Sequence, residues 1–162
     1  MPDPNRSRLQ ASSWFAVVRA YQECTRQYSH MLAAFGLTVP QFDVMTAIMA
    51  LGEAATPKAI AAELLVTRGN ITGVLHRLQS HGLVATRPNG RDGRSFICCL
   101  TCEGQALLDE ARCAAALFIE QQLAPFDDAQ LRETERTMKQ MQSHLRTLDP
   151  ETIAAQARKR RA

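Results

Sequence analysis

Apolar residues recur at steps of three and four through most of the chain. From Trp14 they fall at Val17, Val18, Tyr21, Cys24, Tyr28, Met31, Leu32 and Phe35, which is one stripe along a helix. Ser12 or Ser13 is placed to cap it, and Gly36 to end it as a left-handed C-cap. Thr38-Val39-Pro40-Gln41 reads as a capping box opening a second helix, with Phe42, Met45, Ile48 and Met49 as its buried stripe and Gly52 as its end. Thr56-Pro57 starts a short Ala-rich third helix with Ile60 and Leu64 turned inward, followed by a tight link at Leu65-Val66. Thr67 can cap a fourth helix, apolar at Ile71, Val74, Leu75 and Leu78, that Gly82 ends. Residues 83–88 and 95–100 then read as two short strands around the turn formers Asn89-Gly90-Arg91-Asp92-Gly93. Thr101 caps a fifth helix striped by Leu107, Ala111, Ala114 and Phe118, which Pro125 breaks. Asp127 and Gln130 form a capping box for a sixth, whose Leu131, Thr134, Met138, Met141, Leu145 and Leu148 alternate by three and four as a heptad seam does. Asp149-Pro150 is expected to end it, leaving a frayed tail.

Length and composition narrow the class. The 162 residues suit one domain, and 46% hydrophobic with 22% charged residues is the profile of an ordinary soluble chain. No apolar run approaches the ~18 residues of a membrane span, and the polar first ten residues lack the apolar core of a secretory signal. A cytoplasmic location is therefore expected. Five cysteines, an odd number with no export signal, argue for reduced thiols.

Charge distribution changes the picture more than the net charge of +3 does. Residues 56–94 carry Lys58, Arg68, Arg77, Arg87, Arg91 and Arg94 against only Glu63 and Asp92, a local charge of +4. The tail Arg158-Lys159-Arg160-Arg161 adds another +4, leaving −5 for the remainder. A mildly acidic body with a basic segment is the layout of a nucleic-acid binder. The order helix, tight turn, helix, basic hairpin fits the same reading. One helix enters the major groove and the helix before it braces the backbone. Helix four is apolar on one side and presents Arg68, Gly69, Asn70, Thr72, Gly73, His76, Arg77 and Gln79 on the other. Arginine can read guanine and asparagine adenine, each by paired hydrogen bonds, which suits Arg68 and Asn70. The hairpin arginines suit a narrow, negative minor groove, with Asp92 placed to orient Arg94. The bland alternatives are an ordinary amphipathic surface helix and a solvated turn.

The expected fold is thus mainly α with a small β-hairpin wing: a winged helix-turn-helix with six helices, dimeric. The expected organisation is a flexible N-terminus over 1–11, dimerisation helices over 12–36 and 102–148, a DNA-binding lobe over 37–101 and a basic tail over 149–162. A dimer is expected because helices one, five and six carry more apolar stripe than a small lobe can cover. It also sets two reading helices one DNA turn apart, ~34 Å.

Particular residues between Leu37 and Gly104 resemble those of the MarR (multiple antibiotic resistance regulator) family. They are Leu37-Thr38-x-x-Gln41-Phe42, Ile60-Ala61-x-x-Leu64 and Thr72-x-x-Leu75-x-x-Leu78-x-x-x-Gly82-Leu83, then Asp92-x-Arg94 and Leu100-Thr101-x-x-Gly104. The resemblance implies six helices and one wing, homodimers formed by the first and last two helices, and pseudo-palindromic operators bound mostly in repression. It also implies that Arg68, Asn70, Thr72 and Arg77 contact the major groove and Arg94 the minor groove. The whole expected DNA-contacting set is Thr67, Arg68, Asn70, Thr72, His76, Arg77, Arg91, Asp92 and Arg94. A small effector, often aromatic and anionic in such relatives, is implied between the dimer helices and the lobe. Candidate lining residues are Trp14, Arg19, Tyr28, His30 and Phe42, with Arg19 the charged one on helix one.

Other chemistries are weaker. Relatives that sense hydroperoxides use a cysteine near the start of helix one, where this chain has Ser12-Ser13-Trp14. Cys24 reads as a small buried hydrophobe. Cys98 and Cys99 point to opposite faces of a strand and cannot bridge without strain, while a Cys98–Cys102 pair or a pair between subunits stays open. A redox-responsive regulator is one alternative; a winged-helix adaptor that does not bind DNA is another. No metal is expected, since the four histidines lack helical ligand spacing and Cys98-Cys99-x-x-Cys102 is at most a partial set. No cofactor or catalytic residue is expected, for no phosphate loop, nucleophile elbow or paired-carboxylate motif occurs.

Overall fold

The computed structural model describes residues 3–90 and 95–159. Its elements in chain order are α1 (Pro4–Ala33), α2 (Val39–Leu51), a 3-10 turn (Gly52–Ala54), α3 (Pro57–Glu63), α4 (Arg68–Ser80), β1 (Val84–Pro88), β2 (Phe96–Leu100), α5 (Cys102–Leu123), α6 (Asp128–Leu145) and α7 (Pro150–Lys159). The chain divides into two compact units, 1–118 and 119–162.

The first unit holds the core. Leu32, Leu37, Phe42, Val44, Met45 and Ile48 are buried with Ile60, Ile71, Leu75, Leu78, Val84, Cys98 and Leu108. α2 is enclosed on most sides: Gln41 and Ala47 are buried as well as the expected stripe, and only Met49 of that stripe is half-buried. Thr38 N–H and Thr38 Oγ1 both donate to Gln41 Oε1 at 2.9 Å. Thr56 Oγ1 accepts from Ala59 N–H at 3.2 Å, which starts α3 as expected. The two strands form one antiparallel hairpin with Ala85 opposite Cys99 and Arg87 opposite Ile97.

Three expectations need correction. Seven α-helices stand among the described residues instead of six. α1 begins at Pro4, not at Ser12 or Ser13, so residues 4–11 are helical and not a flexible arm. Asp3 Oδ1 accepts from Asn5 N–H at 2.9 Å, and Pro4 stands at the first helical position, where a missing N–H costs nothing. The tail is likewise α7: Asp149, read as a terminator, accepts from Glu151 N–H at 3.0 Å and from Thr152 Oγ1 at 2.6 Å. Within the second unit, Asp127 and Gln130 form the expected reciprocal box at 2.8 and 3.0 Å, and α6 contains no buried residue.

One knot fixes the hairpin to its neighbours. α4 closes at Gly82, whose φ of 71° is left-handed, and Leu83 N–H donates to Leu78 O at 2.9 Å. Thr101 N–H then donates to Leu83 O at 3.1 Å. Thr101 Oγ1 donates to Gly82 O at 2.7 Å and accepts from Gly104 N–H at 3.0 Å. α5 approaches so closely here that a Cβ on residue 104 would lie 2.0 Å from Leu83 O.

Candidate nucleic-acid interface

α2, α3 and α4 pack on one another. The turn between α3 and α4 is closed by Val66 N–H donating to Ala61 O at 3.0 Å. It also contains Leu65 at φ 55°, a conformation that favours glycine. This turn fixes which side of α4 faces in: Ile71, Val74, Leu75 and Leu78 are buried. Thr67, Arg68, Asn70, Thr72, His76 and Arg77 are all exposed. The six form one polar, partly basic surface on a helix whose back is anchored in the core. Thr67 stands at the N-cap, but its side chain makes no capping bond. Thr72 Oγ1 donates to Arg68 O at 3.0 Å and Arg77 Nε to Gly73 O at 3.2 Å. Both side chains are thereby held along the helix.

A cleft of about 550 Å³ runs between the start of α2 and α4, with Asp43, Asn70, Gly73 and Arg77 on its walls. Burial pushes the half-buried Asp43 carboxyl above the usual range.

The hairpin behaves differently from expectation in one respect. Arg87 donates through Nη2 to Glu53 of the 3-10 turn, so this arginine's charge is met within the chain. Glu53, first of all, and then Cys99 raise the Arg87 pKa. The expected wing contacts Arg91, Asp92 and Arg94 lie outside the described residues.

The expected effector residues separate into two places. Tyr28 meets Phe42 edge-on, ring centroids 6.2 Å apart, and Phe118 at 5.4 Å. Partial burial, and then Asp43 and Cys24, push the Tyr28 hydroxyl up. Trp14 instead packs against Phe15 at 5.0 Å and is 59% exposed. At 1.5 Å rise per residue it lies about 21 Å along α1 from Tyr28, so one chain cannot bring the two into one small pocket. Arg19 and His30 are exposed. Phe118 and Asp43 were not among the candidates. Phe118 was legible as apolar stripe and Asp43 only as a carboxylate beside Phe42. No trio of His, Cys, Asp or Glu among the described residues is grouped to hold a metal.

A short helix, a tight turn, a groove-sized helix with a polar face and a hairpin against its end define a helix-turn-helix regulator with a wing. Comparison with known proteins agrees. A sequence profile described as MarR family matches residues 35–95. An uncharacterised HTH-type transcriptional regulator of Bacillus cereus is 30% identical over 125 residues, 77% of this chain and 80% of that one. The organic hydroperoxide resistance transcriptional regulator of Bacillus subtilis is 27% identical over 104 residues, 64% of this chain and 70% of its own. The fold also matches the crystal structure of a MarR mutant from E. coli complexed with operator DNA, with a TM-score of 0.69 at 24% identity. That match covers 86% of this chain and 98% of the other. The chain belongs to the MarR family of transcriptional regulators, which are DNA-binding proteins and not enzymes.

Proposed function

We propose that this protein is a sequence-specific repressor that binds a pseudo-palindromic operator as a homodimer in the cytoplasm and is released by a small effector. The observation that carries the reading is the outward face of α4, where every expected contact residue is exposed while the opposite face is buried. Arg68 and Asn70 are the base readers in this proposal, and Thr67, Thr72, His76 and Arg77 flank them. Arg91, Asp92 and Arg94 would serve the minor groove.

Exposed apolar side chains support the homodimer. α1 leaves Leu9, Trp14, Phe15 and Tyr21 exposed, and α6 leaves Met138 and Leu145. Within each unit, large apolar side chains left in water favour association with a second copy. The aromatic group Tyr28, Phe42 and Phe118 supports an effector with an aromatic ring. An effector acts only through different affinities for the DNA-competent and incompetent states.

The test is a salt titration of binding to the DNA upstream of the protein's own gene against a scrambled duplex. Each phosphate neutralised adds about 0.9 to the slope of log K against log salt. A steep slope with clear preference for the upstream DNA is expected. Asn70→Ala should relax preference at one base position, whereas Arg77→Ala should weaken binding on all sequences. Absence of binding at low salt would favour the adaptor reading instead.

A further inference from the structure

A second cavity, of about 180 Å³, lies between the hairpin, the 3-10 turn and the start of α5. Its walls bring together Cys99, Arg87, Glu53 and Gln105. That space admits a small organic molecule. Arg87 and Cys99 come to one face by register. Cys99 is paired with Ala85, two residues before Arg87 on the same strand, and side chains two apart on a strand share a face. The long arginine side chain spans that diagonal.

We infer that Cys99 is a covalent modification site for small α,β-unsaturated carbonyl compounds, which enter this cavity and displace Glu53 from Arg87. The cysteines differ sharply in what they can do. Cys98 is 1% exposed, and burial first, then Cys99, pushes its thiol up to about 11, which leaves it inert. Cys99 is half-buried, reachable, and donates its thiol hydrogen to Ala85 O at a long 3.5 Å. Cys102 and Cys113 are exposed on α5 but no comparable cavity wall of cation and amide surrounds Cys113.

The chemistry is conjugate addition. The Cys99 sulfur pair forms an S–C bond to the β-carbon, and the alkene pair moves to the α-carbon. That carbon takes up a proton, replacing the one the thiol released to water. No electrons are gained or lost overall, so no oxidant is required. Arg87 and Gln105 supply N–H donors on the same walls, suited to the carbonyl oxygen of the electrophile. Gln105 Nε2 now donates to Asp109 at 3.0 Å and Arg87 to Glu53; both are surface bonds that an adduct can exchange. Losing the Arg87–Glu53 contact unties β1 from the 3-10 turn and shifts the wing. The effect on DNA rests on the function proposed above; adduct formation does not.

The test uses the full chain with both exposed cysteines removed (C102S, C113S), treated with methyl vinyl ketone at pH 7. Peptide mass mapping follows the adduct, and fluorescence anisotropy follows binding to the upstream duplex. The expected result is one adduct at Cys99, with about tenfold weaker DNA binding. Adding C99S should abolish both changes and leave untreated binding intact. Adding R87A should slow labelling of Cys99 by about threefold, the loss of one modest hydrogen bond to the electrophile's carbonyl oxygen. Adducts only elsewhere, or labelling indifferent to R87A, would overturn the site. An adduct at Cys99 with unchanged DNA affinity, or equal loss in C99S, would overturn its regulatory role. If the untreated protein binds no DNA, the function reading fails, while the mapping and R87A arms still decide the site.

Discussion

Gly73→Ala separates what α4 needs for folding from what it needs for DNA. Gly73 lies in the interior of a 13-residue helix, with ordinary helical φ. A Cβ built there meets only Arg77 Nη2, at 3.9 Å, which is van der Waals contact and no clash. Nothing in the fold therefore requires glycine, and alanine should gain the helix-propensity difference of about 0.8–1.0 kcal/mol. For a chain of this size that raises Tm by about 2–4 °C. The same methyl projects from the exposed polar face. If that face is pressed into a groove, the methyl overpacks the contact by about 1–3 kcal/mol, and operator affinity falls roughly tenfold or more. The assay pairs thermal unfolding with anisotropy titration of the upstream duplex, both at fixed protein concentration because a dimer's Tm depends on it. Higher stability with unchanged affinity would remove Gly73 from the interface and refute the assignment of that face. Lower stability would refute the packing argument itself.

Gly104→Ala should act oppositely, destabilising by about 3 kcal/mol, because its Cβ would overlap Leu83 O and overpack a junction already fixed by hydrogen bonds; urea unfolding within about 1 kcal/mol of the parent would refute it. Leu65→Asn should stabilise by about 0.5–1 kcal/mol, since Leu65 holds φ 55° while 87% exposed and asparagine tolerates that region; a lower Tm would show that the exposed leucine is held by contacts. Asp43→Asn should raise Tm at pH 7 and not at pH 3. The folded carboxyl is raised by burial, so its contribution favours the fold below the ordinary Asp range and is lost as pH rises through the folded value. Equal shifts at both pH values would assign the effect to something other than the charge.

Local signals were legible because each is written within a few residues. Thr38 with Gln41, Thr56 with Pro57, Asp127 with Gln130 and the left-handed Gly82 all stand where spacing placed them. The misreadings came from the same kind of signal given the wrong sense. Asp149-Pro150 reads as a stop and Pro4 lies in a stretch expected to be flexible, yet each proline follows an aspartate whose carboxylate caps a helix that the proline begins. Proline stops a helix only from inside; at the first position its fixed φ starts one. On α1 the periodic stripe overstated burial. Trp14 and Tyr21 lie on it at 59% and 71% exposed, while Leu32 is the helix's one fully buried residue. Periodicity reports which side is apolar, and what covers that side is decided elsewhere.

What spacing could not show is where distant residues meet, and the site depends on those meetings. Thr101 was legible as a cap for α5 and Gly82 as an end for α4, nineteen residues apart. In the fold they share a hydrogen bond of 2.7 Å. Leu83 sits between them, bonded back to α4 and forward to Thr101, with Gly104 stripped of a side chain to let α5 in. The end of the reading helix, the base of the wing and the start of α5 are therefore one joint. Glu53 and Arg87 make a second link, from the 3-10 turn to the wing's first strand, across 34 residues. An exposed ion pair adds little stability by itself, so the pair matters for where it holds the strand. The backbone joint is several hydrogen bonds closed tightly over Gly104, whereas the ion pair is a single exposed and exchangeable contact. A change at the wing should then travel through Arg87 and leave the joint at Thr101 intact. That predicts a Glu53→Gln variant that keeps its Tm and loses wing-dependent affinity, against a Gly104→Ala variant that loses both.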